Sequence, residues 1–223
     1  MEEMLSETLR ILHNELGKAV YETVVMMGIS FVLSSVLGIV LGFVLYLTQS
    51  QAFFKNRLLN AVSADIVNIL RSVPFIILVV FTLPFTFWLV GSKIGPVAAS
   101  VPMTIWATVF LARLIEGALK EVDPGVIEAA LATGASPSLI IRKVLLVESA
   151  PSIARGITVV FISLIGASAM AGMVGGGGIG NLAVQYGYYR YETGVMLFTI
   201  VILVLIVQLS QYLGDWVAKK LTH

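Results

Sequence analysis

The sequence has no cysteine, and only 12% of its 223 residues are charged. Without thiols there is no disulfide, no thiolate nucleophile and no thiolate metal site. A water-soluble domain carries about 25% charged residues, so this chain has too little polar surface to face water all round. Its two histidines, His13 and His223, lie near opposite ends, which leaves no imidazole pair for a catalytic triad or a metal centre. Basic residues do not cluster with aromatic ones as nucleic-acid binding requires. The carboxylates Glu116, Glu121, Asp123 and Glu128 read as charges of a solvated face. No enzymatic constellation, metal site or nucleic-acid surface is therefore expected. A cleavable signal is not expected either, because Glu2, Glu3, Glu7, Glu15 and Glu22 crowd the start where a basic region and an apolar run belong.

What the chain does have is apolar length: 58% of residues are hydrophobic and the mean hydropathy is +0.96. A helix needs about 20 mostly apolar residues to cross a bilayer. Charge-free stretches at 24–47, 72–90, 94–112, 156–174 and 193–214 meet that need. Backbone amides cannot stay unpaired in lipid, so these stretches should be helices. The second is expected to begin earlier, near Leu58, and to take in Asp65 and Arg71. Five spans put the termini on opposite sides.

Lysine and arginine bias then sets the orientation. One side collects Lys55, Arg57, Arg113, Lys120, Arg142, Lys143, Arg155, Lys219 and Lys220, the other only Arg10, Lys18, Lys93 and Arg190. The expectation is an all-α integral membrane protein of five transmembrane helices, a single domain over 1–223, with its N-terminus outside and its C-terminus cytoplasmic.

The longest stretch between spans, 114–155, falls on the cytoplasmic side and is too long to lack structure of its own. Within it Asp123 is a good N-cap with Pro124 behind it at the first helical position. A short helix should run to about Thr133, with Gly134 ending it in the left-handed conformation. Ser136 and Pro137 repeat the signal and should open a second helix toward Arg142. Ile127, Ala130 and Leu131 share a face that wants burial.

Gly175 to Gly178, Ile179 and Gly180 formally contain the spacing of a dinucleotide-binding turn. That turn follows a strand inside a βαβ unit, whereas this run follows an apolar span, and no nucleotide site is assigned. The run instead suits a bend with close backbone approach. Gly166, Ala167, Ser168, Ala169, Ala171 and Gly172 leave the preceding helix nearly bare, with Met170 and Met173 the exceptions. Such a face serves tight helix packing or the lining of a closing passage, and both remain open. Ser34, Gly38 and Gly42 form a second small-residue ladder, read as a packing face. Tyr186, Tyr188, Tyr189 and Tyr191 fit an interfacial belt.

Asp65 and Arg71 are intramembrane polar candidates, because ionisable groups in a span face protein or water. Six positions apart, they do not form a pair. Arg71 has two uses, contact with a substrate carboxylate or capping of a break at Pro74, and the structural one is favoured. Glu22, at the water-facing end of the first span, reads as ordinary.

Two groups of residues resemble a known family. Glu128-Ala129-Ala130, with Gly134 four positions on and Glu148 and Pro151 ahead of the next span, resembles the EAA loop of ABC importer permeases. Leu146-Val147 stands where the family often has Leu-Pro. Residues 166–174 through Gly180, then Gln185-Tyr186-Gly187-Tyr188, and also 71–78, are similar to the methionine-importer branch, and the likeness covers nearly the whole chain.

The resemblance implies a type I ABC importer permease fold in the bacterial cytoplasmic (inner) membrane. It makes 116–151 the coupling loop, with Val126, Ile127, Glu128, Ala129, Ala130, Leu131, Gly134 and Ala135 against an ATPase. It makes Met170, Met173 and Ser168 pathway or gate residues. It implies a homodimer, two copies of a cytoplasmic ATPase that hold the ATP and Mg while this chain binds no cofactor, an extracytoplasmic methionine-binding protein, and transport of L- and D-methionine by alternating access. A permease for another small polar solute is the near alternative. An ion-gradient transporter is the distant one, since such proteins show internal repeats and midplane carboxylates and here Asp65 is the sole candidate.

Overall fold

The computed structural model describes residues 2–50 and 53–222, with side chains from Ser6 onward; His223 lies outside them. All regular structure among the described residues is helical: α1 (Glu2–Gln49), α2 (Arg57–Ser72), α3 (Phe75–Val90), α4 (Pro96–Lys120), α5 (Pro124–Ala132), α6 (Pro137–Ile140), α7 (Leu146–Ala171), α8 (Gly178–Leu182) and α9 (Thr193–Leu221). Wider π turns occupy Ile141–Leu145, Gly172–Gly176 and Ala183–Tyr188.

Four helical stretches are long and apolar enough to cross a membrane, and the count reaches 5 if the bent pair α2 and α3 is one span. The first span is longer than the apolar run alone indicates. At 1.5 Å per residue, 48 residues of α1 extend about 70 Å, well over twice the ~30 Å of bilayer hydrocarbon.

The expected second span is not one straight helix. The chain bends sharply between α2 and α3. Pro74 has no amide to donate and drives Val73 out of the helical region. The loop's second helix opens at Pro137 behind its Ser136 cap, as expected. It runs on through the π turn at 141–145 into α7.

The chain forms two compact units. One comprises Met1–Leu33, Val73–Ala107 and Phe161–Ser210. Its core joins Ile11, Leu12 and Ala19 of α1 to Ile179 and Leu182 of α8 and Val195 of α9. The Ser30 hydroxyl donates to the Ser100 carbonyl at 3.2 Å, and Phe31 meets Phe161 edge-to-face at 5.0 Å.

The other unit comprises Ser34–Ser72, Thr108–Val160 and Gln211–His223. Here the small-residue ladder of α1 seats α4. A Cβ on Gly38 would lie 2.8 Å from Leu111 Cβ, and one on Gly42 would lie 2.6 Å from Ile115 Cβ. Leu45, Val67, Val109 and Ala112 close the core beneath. Apolar surface turned outward is extensive. In α9 the most apolar window has mean hydropathy 2.5, yet only 11% of it is buried within the chain. Water cannot cover such a face; lipid or another chain must.

Candidate functional site

The loop after α4 is built by local capping. The Gly125 amide donates to Asp123 Oδ1 at 2.8 Å, and Pro124 takes the first helical position. α5 ends at Ala132, and Gly134 turns the chain at φ +80°. The Ser136 hydroxyl then receives the Leu139 amide at 3.4 Å, with Pro137 opening α6.

Of the α5 face, Ile127 is buried, Ala130 is half-buried, and Leu131 and Val126 stay exposed. Glu128 and Ala129 are exposed and Ala135 is half-buried. Ile127, Glu128 and Leu131 border a cavity of about 370 Å³ with Tyr46, Lys120 and Val122. The loop's two ends are tied together, because Ser152 Oγ donates to Glu121 Oε2 at 2.6 Å.

Of the four acidic residues read as a solvated face, Glu121, Asp123 and Glu128 are exposed as expected, but Glu116 is not. Glu116 is 6% exposed, held by Arg113 at 2.5 Å and Lys120 at 2.7 Å. Arg113 in turn donates to Asn68 Oδ1 at 2.7 Å and the Ala64 carbonyl at 3.2 Å, which fixes α2 to α4. Sequence reading missed the tie to α2 because Asn68 and Ala64 lie on a different helix from Arg113. The i,i+3 and i,i+4 spacing of Arg113, Glu116 and Lys120 was the available signal.

The second group lies where α7 ends. Gly166, Met170 and Met173 share an exposed face, with Met170 46% and Met173 53% exposed. Ser168 is buried, and its hydroxyl donates to the Ile165 carbonyl at 2.7 Å, so it lies off that face. After Ala171 the helix loosens into the π turn at 172–176, which carries Met173, and leaves helical geometry at Val174 and Gly175 (φ +98°). The chain then turns at Gly177 (φ +78°) into α8. Asp65 and Arg71 both lie exposed on α2, and no ion pair joins them. Tyr188, Tyr189 and Tyr191 are exposed, whereas Tyr186 lies beneath the Arg190 guanidinium at 4.4 Å. Among the described residues no three His, Asp or Glu side chains gather as a metal set would.

Residues 34–223 match the family described as "Binding-protein-dependent transport system inner membrane component". The chain belongs to this family. Among relatives of this inner membrane component is the probable D-methionine transport system permease protein MetI of Vibrio cholerae, 45% identical over 205 residues, 92% of this chain and 91% of that one. The methionine import system permease protein MetP of Bacillus subtilis is 46% identical over 205 residues, 92% of each chain.

A chain from the inward-facing conformations of the MetNI methionine ABC transporter superposes with TM-score 0.89 at 44% identity, over 93% of this chain and 96% of that one. The inner membrane component is thus an all-helical, multi-pass inner-membrane permease with the importer fold, and the ion-gradient alternative is not favoured.

Proposed function

We propose that this permease forms the translocation path of an ATP-driven ABC importer for methionine, both L and D forms. Five helices enclose little, so two copies form the passage about a two-fold axis, and symmetric pairs are the commonest oligomers. The N-terminus lies outside, and the loop and C-terminus lie in the cytoplasm. Two separate ATPase subunits hold ATP and Mg and receive the 116–151 loop. An extracytoplasmic methionine-binding protein delivers the substrate.

ATP binding draws the ATPases together, the two α5 helices move inward with them, and the spans open outward; hydrolysis resets the path. Met170 and Met173 line and close the passage. Asp65 and Arg71 stay structural. The chain supplies the path and the lever, and the chemistry belongs to the partner.

The observation that carries this reading is the loop. α5 is capped at its start, seats Ile127 inward, and leaves Val126, Glu128 and Leu131 free to meet a partner. The methionine assignment is supported by 45% identity over 205 residues to a D-methionine permease.

Co-purification tests it. Tagged permease expressed with its neighbouring genes is expected to recover an ATPase in equal proportion, and Gly134→Val to reduce that recovery several-fold. A Cβ at φ +80° meets no neighbour but carries left-handed backbone strain of roughly 1–2 kcal/mol, which shifts the second half of the loop. Full recovery with Gly134→Val, or ATP-dependent uptake that excess unlabelled methionine fails to compete, would count against the coupling role and the substrate respectively.

A further inference from the structure

The chain reversal after Met173 is held from outside itself. α8 begins at Gly178 after Gly177, which as N-cap has no side chain to offer. The first amides of a helix have no partner within it, and both Gly178 and Ile179 are buried. Water therefore does not satisfy these amides, and in a membrane an unmet amide is more costly still.

α1 supplies both acceptors. The Gly178 amide donates to Glu22 Oε2 at 2.8 Å and the Ile179 amide to Thr23 Oγ1 at 2.9 Å. Thr23 is fixed in turn, donating to the Ala19 carbonyl at 2.9 Å, and Lys18 lies 3.9 Å from the Glu22 carboxylate. On the other flank the Gly95 amide donates to the Gly175 carbonyl at 2.8 Å.

The glycines are what let α1 come so close. A Cβ on Gly177 would strike the Glu22 carboxylate, and one on Gly178 would lie 2.5 Å from Met26 Cε and 2.7 Å from Thr23 Oγ1.

We propose that Glu22 and Thr23 are positioning residues, a two-point strap from α1 that fixes the reversal and with it the Met170/Met173 face, so that the passage is sealed at rest. This rests on the reading of that face as the closing element. Glu22 and Thr23 touch no substrate and act through the backbone amides they cap. Because Glu22 is 156 positions from Gly178, the strap ties the start of the chain to the segment that carries the methionines. Each amide can be released singly, and each has a conservative variant that keeps an acceptor oxygen. Gln at 22 and Ser at 23 preserve the cap; Ala at 22 and Val at 23 abolish it.

The test uses the permease assembled with its ATPase in proteoliposomes. Amide hydrogen exchange across 175–182 and efflux of preloaded radiolabelled methionine without ATP are both followed, with Met170→Ala as reference. Glu22→Ala is expected to speed exchange at Gly178 and Thr23→Val at Ile179, each by about tenfold, as loss of one hydrogen bond implies, and both to raise efflux several-fold. Glu22→Gln and Thr23→Ser are expected to change neither.

Unchanged exchange in both Glu22→Ala and Thr23→Val overturns the strap. Faster exchange with normal efflux, while Met170→Ala leaks, overturns its role in sealing and leaves the methionine reading intact. Efflux raised by Glu22→Ala but not by Met170→Ala upholds the strap and shows that another residue closes the passage. Thr23→Val keeps the question decidable if Glu22→Ala fails to assemble.

Discussion

At the scale of single residues, two glycines of α1 show how one small side chain serves opposite ends. Gly42 packs so closely on α4 that an added Cβ would lie 2.6 Å from Ile115 Cβ and 2.8 Å from the Ala112 carbonyl, whereas Gly28 has nothing within 4 Å. Backbone cannot yield as a flexible side-chain tip does, so Gly42→Val is expected to destabilise by about 1–3 kcal/mol through overpacking. Gly28→Ala is expected to be neutral or to stabilise by up to about 1 kcal/mol, as helix propensity alone dictates. Thermal unfolding in detergent compares them; equal transition temperatures for the two variants would refute close packing at Gly42. The ladder of Ser34, Gly38 and Gly42 was legible as a packing face because four-residue spacing is a local signal. Which helix it met was not.

Among the elements, α2 and the end of α4 show where local reading stops. The charge-free run from Ser72 pointed to one span beginning near Leu58, but Pro74 ends α2 and α3 starts afresh. α2 turns Leu58, Val62, Ile66 and Ile69 outward. Its other side is pinned, Asn60 donating to the Leu45 carbonyl at 2.8 Å and to Thr48 Oγ1 at 3.1 Å.

The Glu116 network does the same work from α4. With its side chain only 8% exposed, Glu116 is a charge that stays buried only while Arg113 and Lys120 stay with it. Its partners are less enclosed, Arg113 21% and Lys120 48% exposed, so Glu116→Ala is expected to destabilise by about 1–3 kcal/mol, the scale of hydrogen bonds to charged groups, part of which Glu116→Gln recovers by keeping one acceptor oxygen. Chemical unfolding of the detergent-solubilised permease measures both, and a Glu116→Ala variant as stable as the parent would mean that the pair contributes nothing. The caps at Asp123 and Ser136 lay within reach of sequence reading because their acceptors and donors sit two or three residues apart.

For the whole molecule, the decisive quantity is apolar surface without an internal partner. α9 buries so little of its most apolar window that the chain cannot be stable alone in water. The distribution of basic residues predicts the orientation. Cysteine placed singly at positions 10 and 143 in this cysteine-free chain is expected to react with a membrane-impermeant maleimide from outside at 10 and only after permeabilisation at 143. The reverse pattern would invert the topology and put the loop out of reach of a cytoplasmic ATPase.

Membrane class, the four unbroken spans and the loop caps were set by the sequence itself, because scarcity of charge, length of apolar run and cap spacing all act within one turn or along one helix. Tertiary structure decided the rest. Glu116 became the centre of a buried network that Arg113 ties to α2, and Glu121 a contact with Ser152 of α7. Glu22, ordinary in isolation, became the cap of a helix that starts 156 positions later. No periodicity reports such a contact, since it exists only where α1 and the glycine run approach closely enough for a carboxylate to replace water on an otherwise unpaired amide.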